Sequence, residues 1–280
     1  MVYIDFFEKF VCKADKCVHS CCAAGWEIDI DEKTRECYKK MSGAIGEKVR
    51  ESAVLDPEDG ESAHFKMVNG KCPLLKENGL CELVLAEGED KLCDICSEHP
   101  RFYGTMEGFD YAGVGLCCEK SCELLLGSRE PLGFKGEGAE EFEKLFPLRE
   151  LEYEPEFSEE SIAELLEIYG ETEPIDEKWT KDLEDMRSNI SCLLQKTSAY
   201  ISCYDKKIYD RIYAYILFRQ IEYLDECSWE ELKIYALVCT DFVFLKDALI
   251  NDTGEAVRIF SEQIEYCPEN VDYLLELNRG

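Results

Sequence analysis

The stretch Cys12-Lys-Ala-Asp-Lys-Cys17-Val-His-Ser-Cys21-Cys22-Ala-Ala-Gly25-Trp26 decides how the N-terminal part of this chain is organised. It places four cysteines within eleven residues. Thiols this close in sequence form disulfides, bind metal or react. Zinc and iron–sulfur centres both take several thiolates from short, turn-rich segments. The spacing therefore predicts a metal centre.

The cysteine count of the whole chain points the same way. There are 17 cysteines in 280 residues, and twelve of them lie between Cys12 and Cys122. A disulfide framework fits poorly with this length, with an odd count and with an N-terminus that lacks the basic and apolar regions of a signal peptide. Buried free thiols or redox disulfides are the remaining alternative to metal. We expect a cytoplasmic protein, because thiols stay reduced there.

The strongly acidic composition limits the possible partners. The net charge is −30, which opposes the phosphate backbone of nucleic acid. It suits a basic partner or a lysine-bearing substrate, although a solvated acidic surface is the more common reason for such a charge. The longest apolar runs are far shorter than the roughly 20 residues of a membrane-spanning helix. We therefore predict neither a nucleic-acid nor a membrane partner.

Further cysteines recur at intervals along the N-terminal half. Asn78-Gly79 separates two short segments and predicts a hairpin that brings Cys72 and Cys81 together. A metal ion would bring such distant thiols together at one site, and the chain has enough cysteines for two metal centres. Two later groups of cysteines follow. Cys93 and Cys96 form a Cys-x2-Cys pair, and Cys117, Cys118 and Cys122 lie at the start of a predicted helix.

Periodicity divides the chain into a mixed half and a helical half. A helix is predicted from Asp31 to about Ala44, a polar loop over 51–64 and strands over 102–114. Glycine, proline and acidic residues over 127–157 predict a linker or mobile loop. Amphipathic patterns then predict helices at 158–170, 176–203, 205–226, 228–249 and 254–265.

The predicted fold class is α+β, mainly α. A cysteine-rich, metal-knotted domain with short strands is expected over 1–126, the linker over 127–157 and a helical domain over 158–280.

Three motifs in order resemble the flagellin lysine N-methylases, which belong with a wider group of cysteine-rich, zinc- or iron-chelating proteins. The first is the opening cysteine stretch with Trp26-x-Ile-x-Ile-Asp31. The second is Cys72-Pro-x-Leu with Leu80-Cys81 and Cys96-x3-Pro100-Arg101. The third is Cys118-Glu with the apolar run 124–126, where Glu119 replaces the proline usual in that family. The resemblance covers about residues 3–126.

The resemblance implies a set of metal ligands and an activity. The activity is methyl transfer from S-adenosylmethionine to lysine side chains of flagellin or another lysine-bearing protein, with a 4Fe-4S iron–sulfur cluster or zinc as metal centre. The resemblance leaves Cys93, Cys117 and Cys122 as extra thiols. Cys122 is an alternative ligand near Cys118. The implied ligands are Cys12, Cys17, Cys21, Cys22, Cys72, Cys81, Cys96 and Cys118.

The residues themselves do not identify a catalytic group or a donor pocket. The chain has no Gly-rich strand–turn–helix fingerprint and no Cys-x3-Cys-x2-Cys triplet. His19 and His99 lie within the cysteine motifs. Three roles stay open for them: metal ligand, a group that supports a ligand, or a structural residue. Two other functions stay open. One is a non-catalytic metal-binding or redox-sensing module that docks a protein partner, and the other is a metal carrier or thiol-redox protein using Cys93-x2-Cys96.

Overall fold

The computed structural model describes residues 1–56 and 62–277. It separates into two compact units. The insert unit runs from Val11 to Phe102. The main unit combines Met1–Phe10 with the chain from Tyr103 onwards. The N-terminal decapeptide therefore belongs to the same unit as the C-terminal helices, and the cysteine-rich segment is inserted after it.

The described part contains short strands followed by many helices. The strands are β1 Val2–Ile4, β2 Ala53–Leu55, β3 Ala63–Phe65, β4 Arg101–Met106, β5 Phe109–Val114 and β6 Phe134–Gly136. The helices are α1 Glu32–Lys40, α2 Gly43–Ser52, α3 Glu82–Glu87, α4 Asp94–Glu98, α5 Glu119–Leu126, α6 Ala139–Leu145, α7 Glu159–Gly170, α8 Glu177–Arg187, α9 Ile190–Ile201, α10 Lys206–Arg219, α11 Trp229–Ile250, α12 Thr253–Phe260 and α13 Pro268–Glu276. A π-helical turn, Ser261–Glu265, follows α12.

The sheet of the main unit explains why the N-terminus joins the C-terminal half. Strand β1 pairs in parallel with β5, with Val2 opposite Tyr111, and antiparallel with β6, with Ile4 opposite Phe134. The strand order is β4-β5-β1-β6. Because Val2 and Ile4 are fully buried, this short strand is a core element and not a loose terminus.

One buried arginine ties the same segment to the helices. Arg211 on α10 forms a bidentate pair with Asp5, with both N–O distances at 3.1 Å. Its remaining donors reach the carbonyls of Leu125, Glu130 and Pro131 at 2.7–3.2 Å. A guanidinium that is only 1% exposed is tolerated because its donors are satisfied.

The helical core of the main unit forms around α10 and α11, which are apolar on most sides. Ser228 and Glu231 close a capping box at the start of α11, as the sequence suggests. The ring of Phe242 on this helix stacks on Tyr169 of α7 at 3.9 Å. No helix within the described ranges is both long and apolar enough to cross a bilayer.

The insert unit has a small core under α1, α2 and the β2–β3 hairpin. Ile28, Ile30, Tyr38, Val49 and Phe65 pack together there. Strand β3 is flanked on its other side by the backbone of 28–30, since the Phe65 amide donates to the Ile28 carbonyl at 2.9 Å.

The prediction of an α+β, mainly α chain is confirmed, and several local predictions differ from the structure. The helix from Asp31 ends at Lys40 and not at Ala44, because the chain turns before Gly43, whose φ of +79° suits glycine. The polar loop 51–64 contains β2 and the start of β3, while its residues 57–61 lie outside the described ranges. The long pattern 176–203 is two helices, α8 and α9.

The segment 127–157 was expected to be a linker or mobile loop, but the structure shows it folded into the main unit. It contains β6 and α6, and Phe134, Phe142, Leu148 and Tyr153 are buried. The observed units also differ from the predicted boundaries at 126 and 158. The physical reason is the pairing of β1 with β5 and β6, which composition alone does not reveal.

Candidate metal centre

Five cysteines meet in the core of the insert unit. They pack against one hydrophobic cluster, with Cys72 and Cys93 buried and the others partly buried. Burial raises the pKa of Cys72 to about 11 and also raises that of Cys81, and a charge on Cys22 adds to both increases. These sulfurs are therefore near neighbours. The five-cysteine cluster consists of Cys22, Cys72, Cys81, Cys93 and Cys96.

Backbone pairing brings these cysteines together from four segments. The Cys72 amide donates to the Cys22 carbonyl at 2.9 Å, which joins the opening motif to the hairpin. The predicted hairpin is present, since Leu75 and Cys81 form a bridge and the Lys76 amide donates to the Leu80 carbonyl at 2.9 Å. Gly79 takes the positive φ of +79° that the turn requires.

Backbone N–H groups point at several of the sulfurs. The amides of Leu74 and Leu75 donate to Cys72, and those of Leu83 and Val84 donate to Cys81. Each of these hydrogen bonds lowers the pKa of its thiol, opposing the larger effect of burial. Donors arranged in this way stabilise thiolates, which are the form of cysteine that binds metal.

The Cys93-x2-Cys96 pair forms the first turn of α4. The Cys93 carbonyl accepts from the Cys96 amide at 3.0 Å. A hydrogen bond from the Cys96 thiol lowers the pKa of Cys93, and the same bond is the largest cause that raises the pKa of Cys96. The first thiol of this pair therefore ionises more readily than an isolated cysteine, and the second less readily.

Asp31 and Tyr38 fix this turn from two sides. Asp31 caps α1 by accepting from Thr34 N–H at 2.8 Å, and its other oxygen accepts from Asp94 N–H at 3.0 Å. Burial of Asp31 opposes its ionisation, but the amides of Asp94 and Thr34 outweigh it and lower its pKa. The Tyr38 hydroxyl donates to the Lys91 carbonyl at 2.9 Å, two residues before Cys93.

The opening cysteines lie in the same unit, within or beside the short 3₁₀ turns Ala14–Lys16 and Cys21–Ala23. Cys12 is exposed and accepts from the Ala14 amide at 3.4 Å, while Cys17 and Cys21 are partly exposed. A hydrogen bond from Cys21 lowers the pKa of Cys22 to about 7. Cys21 thus adjoins the five-cysteine cluster through its neighbour. The ligand roles of Cys12, Cys17 and Cys21 stay predictions.

The third cysteine group belongs to the main unit. The buried Cys122 thiol donates to the Leu116 carbonyl at 2.9 Å, and the Tyr266 hydroxyl donates to Cys117. Cys118 is the residue before α5. Cys117 and Cys122 therefore have structural partners within their own unit, and the ligand role of Cys118 stays a prediction.

A histidine and a tryptophan from the cysteine motifs also meet. The rings of Trp26 and His99 are in edge contact at 5.5 Å between centroids. Burial lowers the pKa of His99 to about 4, so its imidazole is neutral at pH 7. A neutral imidazole is the form that serves either as a packing group or as a metal ligand.

The residues fit a thiophilic metal in their chemistry. The insert unit offers five neighbouring sulfurs, several with N–H donors directed at them, and none of the 17 cysteines, all within the described ranges, is in a disulfide. Within residues 1–56 and 62–277, no group of three or more histidine, cysteine, aspartate or glutamate side chains is already arranged to hold a metal ion. Zinc or an iron–sulfur cluster would take Cys22, Cys72, Cys81 and Cys96, with Cys93 adjacent.

Sequence reasoning found most of this cluster but missed three of its contributors. Cys93 was visible as part of a Cys-x2-Cys pair, yet the motif resemblance set it aside. The first role of Asp31, as a helix cap, has a local signal in the sequence. No local signal in the sequence predicts the hydrogen bond between Asp31 and Asp94 or the one between Tyr38 and Lys91, because each joins segments more than fifty residues apart.

Comparisons with known proteins give a distant similarity. The chain is 24% identical over 131 residues to the Flagellar biosynthetic protein FliU of Salmonella muenchen, covering 45% of this chain and 77% of that protein. It is equally similar to a Lysine-N-methylase of Salmonella typhimurium and one of Salmonella choleraesuis. The match spans 32% of each of these two proteins, about a third of their length. No protein-family model and no solved structure matches.

Proposed function

We propose that this chain is a protein-lysine N-methyltransferase that uses S-adenosylmethionine as its methyl donor and carries a Cys-ligated metal centre in the insert unit. The observation that carries the proposal is the 131-residue similarity to two proteins named Lysine-N-methylase. The motif resemblance over residues 3–126 points to the same family. The metal is a 4Fe-4S cluster or zinc.

The five-cysteine cluster supports the metal part of the proposal. Its members come from four separate segments, so ligation would cross-link the whole insert unit. A structural metal in small zinc peptides contributes on the order of 10–16 kcal/mol. The N–H groups at Cys72 and Cys81 offset part of the cost of burying thiolates. Cys12, Cys17 and Cys21 are the further candidate ligands in this unit, and Cys118, which the motif resemblance also implies, lies in the main unit.

The acidic surface supports a basic acceptor. With 61 acidic against 31 basic residues, the chain attracts lysine-bearing proteins over a long range. The name of the Salmonella muenchen relative, a flagellar biosynthetic protein, supports flagellin as the acceptor. Methyl transfer requires the acceptor amine to lose its proton, which has a pKa of about 10.4 in free lysine. We place the reaction in the cytoplasm, where free thiols persist.

A transfer assay tests the proposal. Protein purified without air is incubated with flagellin and methyl-labelled S-adenosylmethionine, and flagellin lysines are analysed by mass spectrometry. We expect label on lysine, greatly reduced in Cys72→Ser and unchanged in Cys203→Ser, an exposed cysteine of the main unit. Metal-loaded protein that neither transfers methyl groups nor binds the donor in calorimetry would overturn the proposal.

The alternative is a non-catalytic metal-binding or redox-sensing module that docks a partner. The observation that favours it is the coverage of the alignment, because two thirds of each Lysine-N-methylase has no counterpart in the match. Retention of metal together with an absence of donor binding in the same calorimetry would support this function.

A further inference from the structure

A groove in the insert unit has a lining unlike the rest of this acidic chain. It lies between α1, the end of α2 and strand β2, and its volume is about 440 Å³. That is within the roughly 300–1,000 Å³ of small-molecule sites. The α1–β2 groove is lined by Arg35, Lys39 and Arg50 together with Tyr38, Val54, Leu55 and smaller aliphatic neighbours.

The groove lining is basic, whereas the chain as a whole is acidic. Acidic residues outnumber basic ones by 61 to 31 in the chain, yet three cationic side chains line this groove and, among residues 1–56 and 62–277, no carboxylate does. Lys39 also pairs with Glu36 of the same helix at 2.6 Å. Arg50 is held in place because its Nη1 donates to the Tyr38 carbonyl at 3.2 Å and to the Met41 carbonyl at the end of α1. The Arg50 guanidinium is therefore a fixed feature of the groove.

Strand β2 supplies an apolar wall with a polar edge. The amides of Asp56 and Lys66 pair with the carbonyls of Ser62 and Ser52, at 2.9 and 2.8 Å. In an antiparallel ladder this alternation directs the backbone of Leu55 away from β3. The Leu55 side chain is 55% exposed.

Tyr38 connects the groove with the thiol cluster. Its ring lines the groove, and its hydroxyl donates to the Lys91 carbonyl. Burial is the largest cause that raises the pKa of Tyr38, and charges on Cys93, Cys96 and Cys81 add to it. A molecule in the groove would therefore lie one side chain away from the five-cysteine cluster.

We propose that the α1–β2 groove is a binding site for a small organic anion, a molecule with an apolar body and one carboxylate or phosphate group. The anionic group would contact Lys39 and Arg50, and the body would lie on Tyr38, Val54 and Leu55. The same lining disfavours cations, including a lysine side chain and the sulfonium of S-adenosylmethionine. The site is independent of the proposed methyl transfer.

The test uses the fluorescent apolar anion anilinonaphthalene sulfonate with the full-length protein. We expect saturable binding at one site, and at least about tenfold weaker binding in Lys39→Glu and in Leu55→Asp, a loss of about 1.4 kcal/mol. The matched controls are Lys40→Glu on the same helix and Leu85→Asp, also exposed but outside the groove. Circular dichroism shows whether each variant is folded.

The proposed site is wrong if the groove variants bind the probe as tightly as wild type does. It is also wrong if the control variants lose as much affinity for the probe as the groove variants do. Competition then identifies the anion. Displacement of the probe by octanoate indicates a carboxylate ligand, and displacement by adenosine monophosphate indicates a phosphate ligand. Displacement by neither, or by S-adenosylmethionine, would contradict the proposed ligand class.

Discussion

Asp31 accepts a hydrogen bond from the backbone amide of Asp94 at 3.0 Å, although the two residues are 63 positions apart. The same carboxylate caps α1 through Thr34. Asp94 directly follows Cys93, so this carboxylate sets the position of the Cys93-x2-Cys96 turn relative to α1. The protein itself thus positions the Cys93-x2-Cys96 part of the thiol cluster.

Replacement of Asp31 should therefore cost more than the loss of an ordinary helix cap. A capping side chain contributes about 1 kcal/mol, and Asp31→Ala removes two such bonds, so we expect roughly 2 kcal/mol of local destabilisation. Hydrogen–deuterium exchange of a peptide covering 90–99 measures it. Asp176→Ala, which removes a single cap from α8, is the control. Unchanged exchange at 90–99 in Asp31→Ala would contradict this role.

His99 should make the insert unit sensitive to acid. Burial lowers its pKa to about 4, whereas the unfolded chain titrates near pH 6.5. Between these values the unfolded state binds the extra proton, so stability is full above about pH 6.5 and falls as the pH drops toward 4. We expect a loss of about 2–3 kcal/mol, since the ring is partly exposed.

Trp26 reports this titration directly, because its ring contacts His99. In protein with Trp179→Phe and Trp229→Phe, quenching of Trp26 fluorescence should have its midpoint near pH 4. His99→Gln should remove the quenching. A midpoint near 6.5 would show that the imidazole is solvated and not buried.

Asp241 should give the main unit the opposite pH dependence. Burial raises its pKa to about 6, against the opposing hydrogen bond from the Tyr153 hydroxyl at 2.7 Å. The folded state then holds a proton that the unfolded state, titrating near 3.9, releases. Stability is therefore full below about pH 4 and falls by about 2–3 kcal/mol as the pH rises through 6.

Asp241→Asn separates this effect from others, since the amide keeps an acceptor for Tyr153 but cannot ionise. Urea unfolding at pH 4.5 and pH 7.5 measures it. The advantage of the variant over wild type in the free energy of unfolding should be about 2 kcal/mol larger at the higher pH than at the lower one. The same difference at both pH values would refute the raised pKa.

The sequence predicts local features of this chain well and long-range ones poorly. Capping residues place α7 and α11, and Asn78-Gly79 places the hairpin at Cys72 and Cys81. The pairing of Val2 with Tyr111 and the bond between Arg211 and Asp5 join distant segments with no local signal. For this reason the sequence predicts a linker over 127–157, although Phe142 in this segment is fully buried. The candidate site follows the same rule, because its cysteines are visible and the residues that position them are not.

Native mass spectrometry of protein purified without air tests the central claim, that the five-cysteine cluster binds metal. We expect a bound mass of zinc or a 4Fe-4S cluster that is released by acid, is lost in Cys22→Ser with Cys96→Ser, and is retained in Cys192→Ser with Cys203→Ser. A folded protein of apo mass, with every thiol of the cluster free or paired in disulfides, would contradict it.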